Sequence, residues 1–238
     1  MTYKARHGVD WPAEMHDAFI DLTVAKKWRQ FKAQYGVEFK DPWVPLLNAA
    51  KALIPEQYFK VPPWTEEHFH DWVMAEKGCI TWGCASCGKS NDYGLLMLLD
   101  WITDPFDTVI RLGSTDKQSL KSRSWNAVVT YFAALRRNKL GLAVPGKFSK
   151  SGYAILNDDA DDSPESIGEK AGIVGVAVND SEDSGKLQGA HARYVRLVID
   201  ELATITHHDN IKKAMQNLRV GAEDFRFFAL ANPASWED

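Results

Sequence analysis

Residues 83–90 read Gly-Cys-Ala-Ser-Cys-Gly-Lys-Ser, the spacing G-x-x-x-x-G-K-[ST]. Those residue types at those distances can hold a polyphosphate. Gly83 and Gly88 permit positive φ, which turns successive backbone N–H groups inward onto an anion. Cys84, Ala85, Ser86 and Cys87 fill the loop between them. Lys89 brings a fixed charge to the β- and γ-phosphates of ATP or GTP, and the Ser90 hydroxyl is placed to hold Mg²⁺. A helix beginning near Lys89 would add the positive end of its dipole to the same point.

A second group of residues supplies what hydrolysis needs. Leu197-Val198-Ile199 is an apolar run of the kind found in a parallel strand buried on both faces, and Asp200-Glu201 follow it directly. Ligands of open α/β sheets bind at that carboxyl edge. Asp200 would hold Mg²⁺, through water, as the Walker B acid to the Walker A loop at 83–90. Glu201 would polarise the attacking water, a role typically contributing about 10²–10⁴-fold. An Asp-Glu pair belongs to P-loop ATPases with an extra catalytic glutamate. The Asn-Lys-x-Asp guanine reader of GTPases does not occur in the chain.

These residues need elements to carry them. Gly78 to Trp82 reads as the strand before the loop and Ser90 to Trp101 as a buried helix after it. Upstream, Trp11 to Tyr35 reads as a helix with Asp10 as N-cap, Pro12 in its first turn and Gly36 as its stop, and Pro45 to Ile54 as a second helix. Val61 to Trp64 reads as a linker, and a helix follows over Thr65 to Lys77. Strands are expected at Phe106–Gly113, Ala171–Val178 and Phe225–Ala231, and helices at Ser114–Asn138 and Asp209–Val220. The first of those helices would be capped by Thr115 to Gln118 as a capping box. Leu142 to Asn157 reads as a hairpin or an irregular crossover. The alternation gives an α/β fold of the P-loop NTPase class, additional-strand and catalytic-glutamate type. Its mostly parallel sheet is flanked by helices, with an N-terminal helical segment over 1–61 and the ATPase domain over 62–238.

The 238 residues are 45% hydrophobic and contain no run of 18 apolar residues, and no apolar signal core follows the N-terminus. A soluble, intracellular protein without a membrane partner is expected. The net charge of −4 does not describe a generally basic nucleic-acid binder, so DNA contacts would come from local patches. Lys26 to Lys32 mixes cations and aromatics, either the solvated basic face of an amphipathic helix or a contact with nucleic acid. Asp158 to Glu165 reads as a solvated acidic loop without the ordered spacing of a calcium site. Cys84-x-x-Cys87 lacks companion ligands for zinc. Its cysteines are small residues filling the loop, or a thiol pair whose oxidation would distort it.

Five segments together resemble the ATPase half of a phage terminase large subunit: the phosphate loop; Leu197 to Glu201; Leu187-Gln188-Gly189-Ala190-His191-Ala192; Leu112 to Gln118; and Phe228-Ala229-Leu230-Ala231-Asn232-Pro233. The resemblance covers about residues 62 to 234. It implies a motor that uses ATP and Mg²⁺ to move double-stranded viral DNA into a procapsid. It also implies a homo-oligomeric ring working with a portal protein and a small terminase subunit in the host cell cytoplasm. Asn232 would sense the γ-phosphate and couple hydrolysis to movement; the alternative is an Asn-Pro turn closing a strand. Trp64 would stack on adenine or belong to the core, and Thr65 and Glu66 after it depart from the family's aromatic-Gln contact.

Many terminases place an arginine in the loop, and Cys84 to Cys87 supply none. Arg193 is then the first candidate for a finger, from a neighbouring subunit, and Arg123 the second, against the reading of both as ordinary surface arginines. The family continues into a lid and a nuclease domain, whereas this sequence stops at Asp238, so an excised ATPase domain without nuclease activity is expected. Two other functions compete with the motor. A helicase-like translocase would carry a second RecA-like domain and an Asp-Glu-Ala-Asp or Asp-Glu-x-His extension, but Leu202-Ala203 follow Glu201. A nucleotide-gated assembly module would have no need of Glu201.

Overall fold

A computed structural model describes residues 13–84, 87–137, 144–149, 152–160, 171–180 and 184–232. Three helices come first: α1 (Ala13–Tyr35), α2 (Val44–Leu53) and α3 (Pro63–Met74). Then β1 (Gly78–Trp82), α4 (Lys89–Thr103), β2 (Thr108–Ser114), α5 (Lys117–Ser122) and α6 (Ser124–Arg136) alternate. The hairpin β3 (Lys147–Phe148) and β4 (Ala154–Leu156) leads to β5 (Ala171–Ala177), β6 (Tyr194–Ile199), α7 (His208–Val220) and β7 (Asp224–Ala231).

The seven strands form one sheet in the order β1-β7-β6-β2-β5-β4-β3. The first five are mutually parallel, and β4 and β3 add an antiparallel edge. The last strand in sequence, β7, therefore lies between β1 and β6. Every residue of β6 is buried, as expected for a central parallel strand covered on both faces. Alternate side chains enter different cores. Val198 joins Leu95, Leu112, Phe228 and Trp72 on the face covered by α1–α6. Leu197 and Ile199 join Ile211 and Leu218 of α7 on the other. Leu22 of α1 and Leu46 and Leu47 of α2 belong to the first of these cores, so the N-terminal helices and the sheet share it.

Several boundaries differ from expectation. Pro63 and Trp64 are not linker but the first turn of α3, where a proline's missing N–H costs nothing. The helix expected over 114–138 breaks at Arg123 (φ −118°, ψ −97°). It is capped by Asp116 rather than Thr115: the Ser119 N–H donates to Asp116 Oδ1 at 2.8 Å. The start of the first expected helix, including Asp10 and Pro12, and residues 161–165 of the acidic loop lie outside the described residues.

Most of the basic run of α1 faces the protein rather than solvent or nucleic acid; Lys32, exposed and paired with Glu38, is the exception. The Lys26 side chain is buried and donates to the Asp100 carbonyl and to Thr108 Oγ1, both at 2.6 Å, with its ammonium 3.1 Å from the Asp100 carboxylate. Lys27 pairs with Asp104. Arg29 donates to the carbonyls of Val73 and Met74 at 3.1 and 2.5 Å. The helix lies where α3 ends in orphan carbonyls and α4 presents carboxylates, both of which attract cations. Arg196 of β6 reaches the same carboxylate at 2.8 Å, so one anion serves two cations. Burial alone would raise the Asp100 pKa, but Arg196 and Lys26 bring it down to about 2. Burial, with repulsion from Arg196, pushes Lys26 down to about 8 against the pull of Asp100.

Candidate functional site

The glycine-rich loop leaves β1 at the carboxyl edge of the sheet and turns into α4 at Gly88, whose φ of +88° a side chain would resist. Gly83 is tied to the neighbouring strand, its N–H donating to the Ala231 carbonyl at 3.2 Å. Lys89 opens α4 and folds its side chain back over the loop, leaving it buried. Its ammonium donates to the carbonyls of Gly83 (2.7 Å) and Cys84 (2.9 Å) and to Asn232 Oδ1 (2.8 Å). These are acceptors that phosphate oxygens can replace. Ala85 and Ser86 lie outside the described residues.

The end of β6 brings the acids to the same place. Asp200 is held by its own N–H, which donates to the Gly113 carbonyl at 2.8 Å. The Ser90 hydroxyl lies 3.2 Å from both Asp200 carboxylate oxygens. Burial raises the Asp200 pKa, against the opposing effects of the Ser124 and Ser90 hydroxyls and of Arg123 and Lys89. A buried carboxylate beside a hydroxyl, with its charge disfavoured, is a fitting pair of oxygen donors for a small divalent cation.

Glu201 follows in the left-handed region (φ 58°, ψ 42°), the only non-glycine with positive φ among the described residues. Such a conformation costs of order 1–3 kcal/mol and persists where surrounding contacts hold it. Here the Arg123 guanidinium, from the break between α5 and α6, forms an ion pair with the Glu201 carboxylate.

Lys89, Ser90, Arg123, Asp200, Glu201 and Asn232 all line one cavity of about 490 Å³, in the size range of small-molecule sites. Asn232 owes its place to β7, which runs beside β1 and ends level with the loop. Two sequence candidates stand apart. Trp64, 44% exposed, sits beside the loop but outside the cavity, its indole Nε1 3.7 Å from where a Gly88 Cβ would be. Arg193 precedes β6, at the opposite end of that strand from Asp200, and its guanidinium bonds Glu223 at 2.8 Å. It does not reach the cavity of its own chain.

The cavity has further walls that sequence reasoning missed. Asn126 and Thr130 line it from α6. With Arg123 they fall at spacings of three and four, one polar stripe along a largely apolar helix, and that stripe was the available signal. Behind the loop, Asp92 of α4 accepts from Thr65 Oγ1 at 2.8 Å and lies 2.7 Å from His68 Nδ1, pinning α4 to α3. No group of three or more His, Cys, Asp or Glu suited to a metal occurs among the described residues. No helix among them is long and apolar enough to cross a membrane.

No protein-family model matches the chain, and no curated protein sequence does. Among solved structures, the large terminase from a thermophilic bacteriophage aligns with 94% of this chain at 12% identity and a TM-score of 0.49. The chain spans 40% of that protein's length.

Proposed function

We propose that this chain is an ATPase, the motor domain of a terminase large subunit, that couples ATP hydrolysis to translocation of double-stranded DNA. One observation carries the enzymatic part. Residues from four separate stretches (Lys89 and Ser90, Arg123, Asp200 and Glu201, and Asn232) converge on one cavity at the carboxyl edge of a parallel sheet. The position of β7 between β1 and β6 supports the additional-strand type of P-loop NTPase. The packaging role rests on the order of the resembling segments, from Leu112–Gln118 through Leu187–Ala192 to Phe228–Pro233.

In this reading the loop N–H groups, the α4 N-terminus and Lys89 bind the β- and γ-phosphates. Ser90 and Asp200 would hold Mg²⁺, which would supply positive charge to the phosphate oxygens. Glu201 orients a water and takes its proton. Asn232, already bonded to Lys89, would respond when that lysine turns to the γ-phosphate and would pass the change to β7. Arg123 would stabilise transition-state charge within the chain. Arg193 would serve only across a subunit boundary, in a homo-oligomeric ring. Portal protein and small terminase subunit are the partners of such a ring, in the host cell cytoplasm.

Steady-state ATP hydrolysis, with and without double-stranded DNA, tests the proposal on this chain and on Glu201→Gln. A turnover that the substitution lowers by about a hundredfold or more supports the ATPase. Stimulation by DNA supports the motor. Equal rates in the two proteins refute the role of Glu201.

A further inference from the structure

Two side chains of the loop have no part in that chemistry. Cys84 is exposed and Cys87 half-buried, both as free thiols. Cys87 lines the cavity, and its sulfur accepts from the Lys89 ammonium at 3.4 Å. The same sulfur would lie 3.2 Å from a Cβ built on Gly83. It therefore occupies the inside of the loop's curve, against the group that meets phosphate. Cys84 holds the same ammonium through its carbonyl oxygen. Cys79 differs from both: it sits on β1, in contact with Tyr93 and Thr81, and burial raises its pKa.

We propose that Cys84 and Cys87 form a redox modification site, in which oxidation by hydrogen peroxide joins them in a disulfide that locks the loop and excludes nucleotide phosphates. The second half of this proposal rests on the nucleotide reading above. The two cysteines are three apart in sequence, and Cys87 stands just ahead of a 15-residue helix with the Lys89 ammonium beside its sulfur. In thiol–disulfide chemistry the thiolate is the attacking species. The Cys87 thiolate attacks one peroxide oxygen and the O–O bond breaks. The sulfur becomes a sulfenic acid, and the departing hydroxide takes up the Cys87 proton as water. The Cys84 sulfur then attacks the Cys87 sulfur: the S–S bond forms, the S–O bond breaks, and hydroxide leaves with the Cys84 proton as a second water. Two thiols and one peroxide give one disulfide and two waters, with two electrons passing from sulfur to oxygen.

A disulfide draws its Cα atoms to within about 7 Å. A loop stapled at its second and fifth positions cannot open its N–H groups around a phosphate. It also keeps Lys89 on its own carbonyls.

The experiment uses the whole chain, first reduced and then treated with hydrogen peroxide. Thiols are trapped in acid and mapped by peptide mass, and ATP affinity is measured by displacement of a fluorescent analogue. The expected result is a Cys84–Cys87 disulfide with Cys79 still a thiol, an affinity loss of about a hundredfold or more, and recovery with dithiothreitol. Cys84→Ser and Cys87→Ser, each compared with itself before and after peroxide, should lose this response. A map showing no Cys84–Cys87 bond overturns the site, and a mapped bond with unchanged ATP affinity overturns its effect. A reduced chain that binds no ATP refutes the nucleotide reading and the second half of the proposal with it. The peptide map then decides the first half alone.

Discussion

Replacing Asp100 with Asn removes the single carboxylate that Lys26 and Arg196 share. The three side chains are 5%, 3% and 2% exposed, so water cannot substitute. Asn keeps one oxygen for Arg196 Nε but turns an amide donor toward the Lys26 ammonium. Taking one partner from a buried pair typically costs about 3–5 kcal/mol, and the retained acceptor puts this case near about 3 kcal/mol. The acid limb gives an independent figure. The folded carboxyl titrates at about 2 against 3.8 for the free group. Between those values the unfolded chain binds the proton that the folded chain refuses, so stability present above 3.8 drains as pH falls toward 2. The loss comes to about 2 kcal/mol. Urea denaturation of wild type and Asp100→Asn, near neutrality and in acid, reads both quantities. The gap should be about 3 kcal/mol at neutral pH and shrink by about 2 kcal/mol across the acid window. A gap below about 0.5 kcal/mol at neutral pH, or one that acid leaves unchanged, would refute the shared-anion account.

Other consequences are open to direct measurement. Lys26 titrates at about 8 when folded and 10.5 when free. The unfolded chain binds more protons in that window, so raising pH through it should add about 3 kcal/mol to wild type relative to Lys26→Met. A flat difference in denaturation free energy would reject this. A Cβ at Gly172 would lie 1.9 Å from Trp101 Nε1, and Gly172→Ala should lose at least about 2 kcal/mol by thermal or chemical unfolding. Full stability would mean that the indole moves freely. Ser90→Ala should weaken the Mg²⁺ dependence of nucleotide binding by about tenfold, and an unchanged Mg²⁺ titration would remove Ser90 from the cation site. Arg123→Ala should lower ATP turnover by at least about a hundredfold and by more than Arg193→Ala does. The reverse ranking would assign the finger to the neighbouring subunit.

What could be read in advance depended on whether the determinants were local. The strand and helix on either side of the loop, the strand that precedes Asp200 and the strand that precedes Asn232 are each written in a few consecutive residues, and each forms where the sequence implied. Lys26 was misread because its partners are 74 and 82 residues away. Nothing in a window around it distinguishes a lysine facing water from one facing Asp100. The break at Arg123 was invisible for a similar reason. Residues 114–138 have no proline or internal glycine, and the interruption places a guanidinium on a glutamate beyond the end of β6. The hairpin β3–β4, by contrast, was legible as one of two alternatives because glycine and proline punctuate it.

The pairing of β1 has a consequence for how the molecule is made. Among the described residues its one neighbour in the sheet is β7, where Gly78 faces Phe227, about 150 residues later in the chain. A ribosome will have released the loop, α4 and the acids of β6 before β1 has any strand to bond with. Closing so long a segment is entropically slow, and contacts of high sequence separation form late. This half of the sheet is thus finished only when β7 enters between β1 and β6. A nascent chain stopped short of residue 224 would carry the whole glycine-rich loop with no assembled cavity around it.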